Sequence, residues 1–320
     1  MQLSKRLAHA VPRTARHPPS TIRRASSQAN SSSVGTGDPA AYCKEFVRKH
    51  DYESYLLSQF FPRDKQPGYF ALKAFYVEQA TLQDTVSNAT IGKMRMQFWR
   101  DAVKGITDGR PPHHPIALAL YDVSKTSTLA PYHLKRIIDA RDAELDSPGH
   151  MTADSLVAHA ESTSSTLLYL LLSHLNLASE TFSHAASHLG VAQSISVLLR
   201  ALPFHASKGR MVIPAEITAK HGVVQDEVFR KGPAASGIDN AVFDFATLAN
   251  DHLLTARSMF KESGGKVPRA AMPIFSAGVP VTSYLQRLES VNFDAFNRSL
   301  QMREWKMPWR VWRSYYNCTF

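Results

Sequence analysis

Between Pro67 and Val86, the side chains Leu72, Phe75, Tyr76, Gln79, Leu82, Gln83 and Val86 recur at intervals of three and four residues, the spacing that lines one face of a helix. Two amides, Gln79 and Gln83, sit in that otherwise apolar stripe. The same periodicity predicts helices over Ile91–Ile106, Pro115–Ser124, Pro131–Leu145, Thr152–Asn176, Ser179–Pro203, Ile238–Lys261 and Val281–Val291, and a last one over Pro308–Tyr316. Asp38 followed by Pro39 suits an N-cap and a first helical position, so helical structure is expected to begin there. Gly, Pro and polar residues gather at Gly109–His114, Ser147–His150, Ser207–Pro214 and Gly264–Pro268, which are the predicted breaks. No stretch alternates apolar and polar residues over a useful strand length, and no segment repeats. The predicted fold class is all-α.

A chain of 320 residues with 44% apolar and 20% charged side chains can bury a substantial core. Its formal charge of +10 is unevenly spread. Met1–Gly37 holds Lys5, Arg6, Arg13, Arg16, Arg23 and Arg24 and no acid; without those six of the 37 bases, 31 remain against 27 acids. From Asp38 onward the surplus is only four, too small to argue for a nucleic-acid partner. The segment 1–37 is rich in Arg, Ser, Ala and Pro and lacks an apolar run of secretory-signal length, the composition of a mitochondrial transit peptide, with processing close to Ser26. A merely disordered basic tail would share much of that composition.

Cys43 and Cys318 stand far apart and in no paired motif, which excludes a disulfide framework and a thiolate metal centre within the chain and suits a reducing compartment such as the matrix. The best apolar run, Leu167–Leu172, stops at Ser173 and His174, well short of the roughly 18 residues of a membrane span. No GxSxG elbow is present, and Gly264-Gly265-Lys266 lacks the rest of a P-loop. His184 and His188 are spaced i, i+4, but no acid lies between them and no third ligand is implied, so a zinc site is not expected. The doublet His113-His114 reads as loop surface, and Trp99 as core.

The segments Leu72-Lys73-Ala74-Phe75-Tyr76, Arg95-Met96-Gln97-Phe98-Trp99-Arg100-Asp101, Leu198-Leu199-Arg200 and Lys208-Gly209-Arg210-Met211-Val212-Ile213-Pro214 together resemble the squalene/phytoene synthase superfamily, over a span from about Tyr42 to about Phe296. The resemblance implies a single-domain, isoprenoid-synthase-like helical bundle with a central pocket. In that family two facing helices carry aspartate-rich motifs whose carboxylates hold Mg²⁺ on a substrate diphosphate. Here the first motif falls on Ala80-Thr81-Leu82-Gln83-Asp84 and keeps only Asp84, while the second falls on Ala201-Leu202-Pro203-Phe204-His205 and keeps neither aspartate. Pro203 is expected to interrupt the helix that would present the second motif. One carboxylate cannot gather a Mg²⁺ cluster, and the imidazole of His205 is a poor substitute for an oxygen ligand. No catalytic residue, cofactor or metal is therefore expected. Prenyl-diphosphate transfer and turnover-free isoprenoid or lipid binding stand as the alternatives.

The N-terminal segment, Tyr42–Asp51, Ala201–His205, Tyr284–Leu288, Phe293-Asp294 and the Trp/Arg-rich end resemble one mitochondrial subgroup of that family. The subgroup's role implies assembly of respiratory complex I, contact with its subunits or other assembly factors, and a peripheral place on the matrix face of the inner membrane. The chain then divides into a transit segment over 1–37, a synthase-like body over 38–303 and a C-terminal helix over 304–320. Gln79, Gln83, Arg95, Arg200, Lys208 and Arg210 are candidates for a pocket that takes an anion or lipid headgroup, with structural pairing to Asp84, Asp101 or helix ends as the competing role. Trp305, Trp309, Trp312 and Tyr316, interleaved with Arg303, Lys306, Arg310 and Arg313, suit an anionic membrane interface or a partner. A terminal helix that buries its tryptophans against the body would carry the same pattern.

Overall fold

The computed structural model describes residues 37–86, 88–177 and 179–320, and among them it contains no strand. The expected transit segment lies, apart from Gly37, outside the described residues. The first half runs through α1 (Pro39–His50), α2 (Tyr52–Leu57), α3 (Gln66–Thr85), α4 (Ala89–Thr107), α5 (Pro115–Ser124), α6 (Pro131–Asp146), α7 (Ala153–Ala160) and α8 (Thr166–His174). The second half runs through α9 (Glu180–Ser207), α10 (Ala215–Lys220), α11 (Gln225–Lys231), α12 (Ile238–Ser258), α13 (Met272–Phe275), α14 (Gly278–Ser290), α15 (Arg298–Gln301) and α16 (Met307–Asn317).

Local chemistry sets many of these starts. The Asp38 carboxylate accepts from the Ala40 amide and caps α1, as its position ahead of Pro39 predicts. Asn88 caps α4 through the Ile91 amide, and Thr152 and Ser155 form a reciprocal capping box on α7. The helices enclose two apolar clusters. One gathers α1, α3, α4, α5, α6 and α8 around Phe75 and Trp99, which meet edge to face at 5.3 Å. The other gathers α10, α12, α14 and the second half of α9 around Phe245 and Leu199. Trp99 is core as expected, but His114 is not loop surface: it sits half-buried at 5.1 Å from the Trp99 ring, because the turn before α5 folds back over that indole.

Two sequence expectations need correction. The helix expected over Thr152–Asn176 is divided by a π-helical turn at Glu161–Ser165, where Thr166 Oγ1 donates to the Glu161 carbonyl. Pro203 does not interrupt α9, which continues to Ser207. Proline forfeits one backbone hydrogen bond, and Leu199, Leu202 and Ala206, buried on either side of it, hold the helix through the defect.

Helix α9 lies hard against the π turn. A Cβ on Gly190 would stand 2.4 Å from Ser165 Oγ and 2.5 Å from Ser165 Cα, and Ser165 Oγ donates to the Ser187 carbonyl at 2.7 Å. A second tie joins α3 to α8. The His174 ring lies where a Cβ on Gly68 would fall, at 2.3 Å, and its Nε2 is 2.8 Å from the Lys65 carbonyl while its Nδ1 is 2.9 Å from Ser127 Oγ. A carbonyl only accepts, so Nε2 carries the proton; in the neutral ring that burial favours, Nδ1 accepts from the serine.

These contacts predict two outcomes. Replacing Gly190 with Ala improves helix propensity by roughly 1 kcal/mol, yet a backbone atom at 2.5 Å cannot yield without separating the helices. The net effect is a loss of about 1–3 kcal/mol, and Gly190→Arg prevents accumulation of folded protein. Chemical denaturation checks the first and soluble yield the second; an unchanged midpoint in Gly190→Ala removes the close-contact account. Burial lowers the His174 pKa, with the Lys65 carbonyl opposing. The folded value lies below the unfolded value of about 6.5, so the unfolded chain binds more protons in between. Stability is complete above that pH and falls as pH drops toward the folded value. The melting temperature of His174→Gln should depend less steeply on pH across this range than that of the natural chain.

Candidate functional site

Where the two apolar clusters meet, a cavity of about 670 Å³ is walled chiefly by α2, α3, α9 and α14, within the size range of small-molecule sites. The stripe Lys73, Tyr76, Val77, Ala80, Thr81 and Asp84 of α3 lines it, following the helical repeat over three turns. Residues Gln193, Ser194, Arg200, Ala201, Phe204 and His205 of α9 line it from another side. The two degenerate motif positions thus share one cavity: Ala80, Thr81 and Asp84 on α3, Ala201 and His205 on α9.

The charges here are already committed. Asp84 accepts a hydrogen bond from Arg210 Nη2, and Lys208 Nζ lies 3.6 Å from the same carboxylate and 4.2 Å over the Phe204 ring. Arg200 Nη1 is 2.6 Å from Glu53 Oε1, bridging α9 to α2. Arg95 pairs with Glu78 at 3.4 Å and does not line the cavity. Gln83 lines it and donates to the Glu144 carbonyl at 3.2 Å; Gln79 is buried outside its lining, with neither amide atom bonded to a described residue. Thr81 Oγ1 turns back to the Val77 carbonyl at 2.9 Å. Burial lowers the His205 pKa, with Arg210 adding to the effect.

This donor set does not fit the Mg²⁺ cluster that the family resemblance implies. Mg²⁺ asks for several oxygen ligands in near-octahedral array, and Asp84 is the one motif carboxylate, neutralised by two cations. Among the described residues no group of three or more His, Cys, Asp or Glu could hold a metal ion, and this includes the pair His184 and His188, where His188 Nδ1 meets His252 Nδ1 at 2.9 Å.

Deeper in, the wall is polar. Tyr76 Oη is 2.6 Å from Ser164 Oγ, which is 2.7 Å from Ser194 Oγ, so the π turn, α3 and α9 meet in a row of hydroxyls. Arg141 Nη1 reaches Glu144 at 2.8 Å and Nη2 reaches Tyr76 Oη at 3.4 Å. Burial alone would raise the Glu144 carboxyl, but Arg141 beside it, and His159 next, bring it below the usual carboxylate range. Burial, reinforced by Arg141 and opposed by Glu144, takes the His159 imidazole down to about 4, so it is neutral at physiological pH.

Lys73 also faces this space. Its side chain belongs to a residue only 3% exposed, it lines the cavity, and no described residue hydrogen-bonds to it or pairs with it. Sequence reasoning passed over Lys73, Arg141, Glu144, His159, Ser164 and Ser194. A signal for Lys73 existed: Tyr69–Val77 is apolar on every face except at this one charge, the mark of a fully buried helix carrying a single exception.

On the surface, α16 buries Met307 and Val311 and is tied down by the Cys318 carbonyl accepting from the Val267 amide at 2.9 Å. Its tryptophans stay outside. Trp309 is 60% exposed and Trp312 45%, with their rings stacked at 4.8 Å and Tyr316 following at 5.0 Å. Trp305 is exposed as well, with Lys306 Nζ 5.2 Å over its ring, Arg269 lies 5.1 Å over the Tyr316 ring, and Arg313 is exposed on the same helix. Of the two roles open to this helix in the sequence, burial of the tryptophans does not occur; an exposed aromatic row does.

The profile of the squalene/phytoene synthase family matches residues 47–313. The chain is 40% identical over 301 residues to a rat (Rattus norvegicus) protein named NADH dehydrogenase (ubiquinone) complex I, assembly factor 6, covering 93% of this chain and 88% of that one. It is 39% identical over 282 residues to the human (Homo sapiens) protein of the same name, covering 88% of this chain and 83% of that one. A crystal structure of a dehydrosqualene synthase superposes with a TM-score of 0.74 over 87% of this chain and 96% of that one, at 17% identity, and so shares the fold. With the family profile matched over most of its length, the chain belongs to the squalene/phytoene synthase family.

Proposed function

We propose that this protein is a non-catalytic assembly factor for respiratory complex I (NADH:ubiquinone oxidoreductase), acting by contact with complex I subunits or other assembly factors. The observation that carries this reading is 40% identity to a protein bearing that name over 93% of the chain. The site agrees with it. A family member that transferred prenyl groups would need clustered carboxylates to hold Mg²⁺ on a diphosphate, and here Ala80, Ala201 and His205 stand at motif positions while Asp84 is held by Arg210 and Lys208. The working division is a mitochondrial transit segment over 1–37, a helical body over 38–303 and a C-terminal helix over 304–320, with the mature protein on the matrix face of the inner membrane. No helix among the described residues is long and apolar enough to cross a membrane, which agrees with peripheral attachment.

The attachment surface is the aromatic row of α16. Indole and phenol rings favour the headgroup level of a bilayer, and the flanking arginines and lysine complement anionic lipid. The occupant proposed for this face is an anionic membrane surface. Replacing Trp309, Trp312 and Tyr316 with Ser should abolish co-sedimentation with cardiolipin-containing vesicles while leaving the melting temperature within about 2 °C, because all three side chains lie on the exposed face of the helix rather than in its core contact through Met307 and Val311. Unchanged sedimentation, or equal binding of the natural chain to purely zwitterionic vesicles, rejects this surface.

The assembly role is tested by complementation of a strain deleted for this protein, reading assembled complex I and NADH:ubiquinone activity beside the level of each variant. Asp84→Ala should restore both, since nothing catalytic depends on that carboxylate, and the purified protein should release no diphosphate from farnesyl diphosphate with Mg²⁺. A stable, abundant Asp84→Ala protein that fails to restore complex I, together with metal-dependent diphosphate release by the natural chain, would reverse the reading.

A further inference from the structure

We propose that the inner end of the cavity is a binding site for the carboxylate of a fatty-acid-like amphiphile, with Lys73 as its counter-charge. The proposal is independent of the assembly role.

The first support is the lysine. An ammonium group is rarely taken out of water without an anion beside it, and the other cations lining the cavity near it have partners: Arg141 has Glu144, Arg200 has Glu53, Arg210 has Asp84. Lys73 is only 3% exposed, opens on the cavity, and has no hydrogen-bond or ion-pair partner among the described residues. A monoanion entering the cavity completes it.

The second support is a count of hydroxyl hydrogens. Tyr76, Ser164 and Ser194 carry three, and their two mutual contacts consume two. Whichever way the row is oriented, one hydroxyl hydrogen is left over on a residue that lines the cavity. Lys73 lies one turn from Tyr76 on the same face of α3. The wall therefore offers an ammonium and a surplus hydroxyl donor, and their complement is an acceptor with one negative charge. A carboxylate matches the one cation of this inner wall that lacks an acid among the described residues, Lys73 beside the paired Arg141; a phosphate monoester, at close to two charges, would leave one unbalanced there.

The third support is position. Lys73 and Asp84 are eleven residues apart on one helix, about 16 Å at 1.5 Å per residue. An anion at Lys73 is thus three turns away from the motif positions of α3. Part of the remaining lining, Leu57, Val77, Leu167, Val281 and Met307, is apolar and accommodates a hydrocarbon chain. Head and tail both find their complement within the same cavity.

The test is displacement of a dansyl-labelled fatty acid from the purified full chain by oleate, by oleyl alcohol and by oleyl phosphate. Oleate should displace the probe at concentrations about tenfold or more below those of the alcohol, the scale of one charge-assisted hydrogen bond. Lys73→Met, which keeps length and removes charge, should erase that preference while alcohol still competes; Asp84→Asn should leave it in place. Equal potency of oleate and alcohol on the natural chain overturns the proposal without any variant. So does a preference that survives in Lys73→Met, and phosphate outcompeting oleate overturns the choice of a carboxylate. If Lys73→Met does not fold, Lys73→Gln takes its place with the same expectation.

Discussion

The contact on which the site depends is the approach of α9 to the π turn at Gly190. With no Cβ at that position, Ser165 comes within bonding distance of the α9 backbone, and its hydroxyl donates to the Ser187 carbonyl. That registers the π turn against α9 one residue further along: Ser164 then meets Ser194, one turn beyond Gly190, and also Tyr76 of α3. The polar inner wall of the cavity is thus a consequence of a close helix crossing made possible by one glycine. The same rigid rod continues for three further turns and carries Arg200, Ala201 and His205 to the mouth. A side chain at Gly190 would disturb the site about 15 Å away through the helix alone, since 1.5 Å per residue over ten residues separates it from Arg200.

Much of the fold was legible because amphipathic helices announce themselves by spacing. Trp99, Phe75 and the stripe of α3 fell where the three-and-four repeat put them, and Asp38 capped α1 as an aspartate ahead of a proline should. What escaped were the features where tertiary packing overrides local rules. Pro203 carries a real local penalty, but Leu199, Leu202 and Ala206 are all buried and hold α9 across it. The π turn at Glu161–Ser165 has no periodicity of its own, because one inserted residue shifts the stripe by a quarter-turn and the flanking segments each still read as helix. The cavity was legible only at its mouth, through motif positions on two helices. Its inner wall draws on α6, α7, the π turn and α9, and no sequence spacing brings Arg141 to Tyr76 or Ser164 to Ser194.

The mouth and the inner wall have opposite electrostatics. At the mouth three cations meet acids: Arg210 and Lys208 share Asp84, and Arg200 takes Glu53. Those pairs hold α3, α9 and α2 together where a metal-dependent enzyme would hold them through ion-bridged substrate. Removing one partner from a partly buried pair leaves the other cation uncompensated, which explains how a lone motif carboxylate can serve the fold without a metal. Asp84 is then a fastener between α3 and the segment after α9.

The inner wall follows the other logic. Burying Arg141 and Glu144 together with a neutral His159 is expensive, and a family member with no chemistry to perform could replace the group by apolar side chains of similar size at little cost in stability. An apolar wall would suit a scaffold that acts only through its outer surface. Retained buried donors, with Lys73 lacking any acid and one hydroxyl hydrogen lacking any acceptor, instead describe a cavity shaped for an acceptor that arrives from outside the chain. Once bound, such a ligand stabilises the folded state in proportion to its occupancy, since only the folded chain assembles Tyr76, Ser164 and Ser194 beside Lys73. An assembly factor built this way has its abundance and rigidity coupled to the supply of that ligand, without any bond being made or broken.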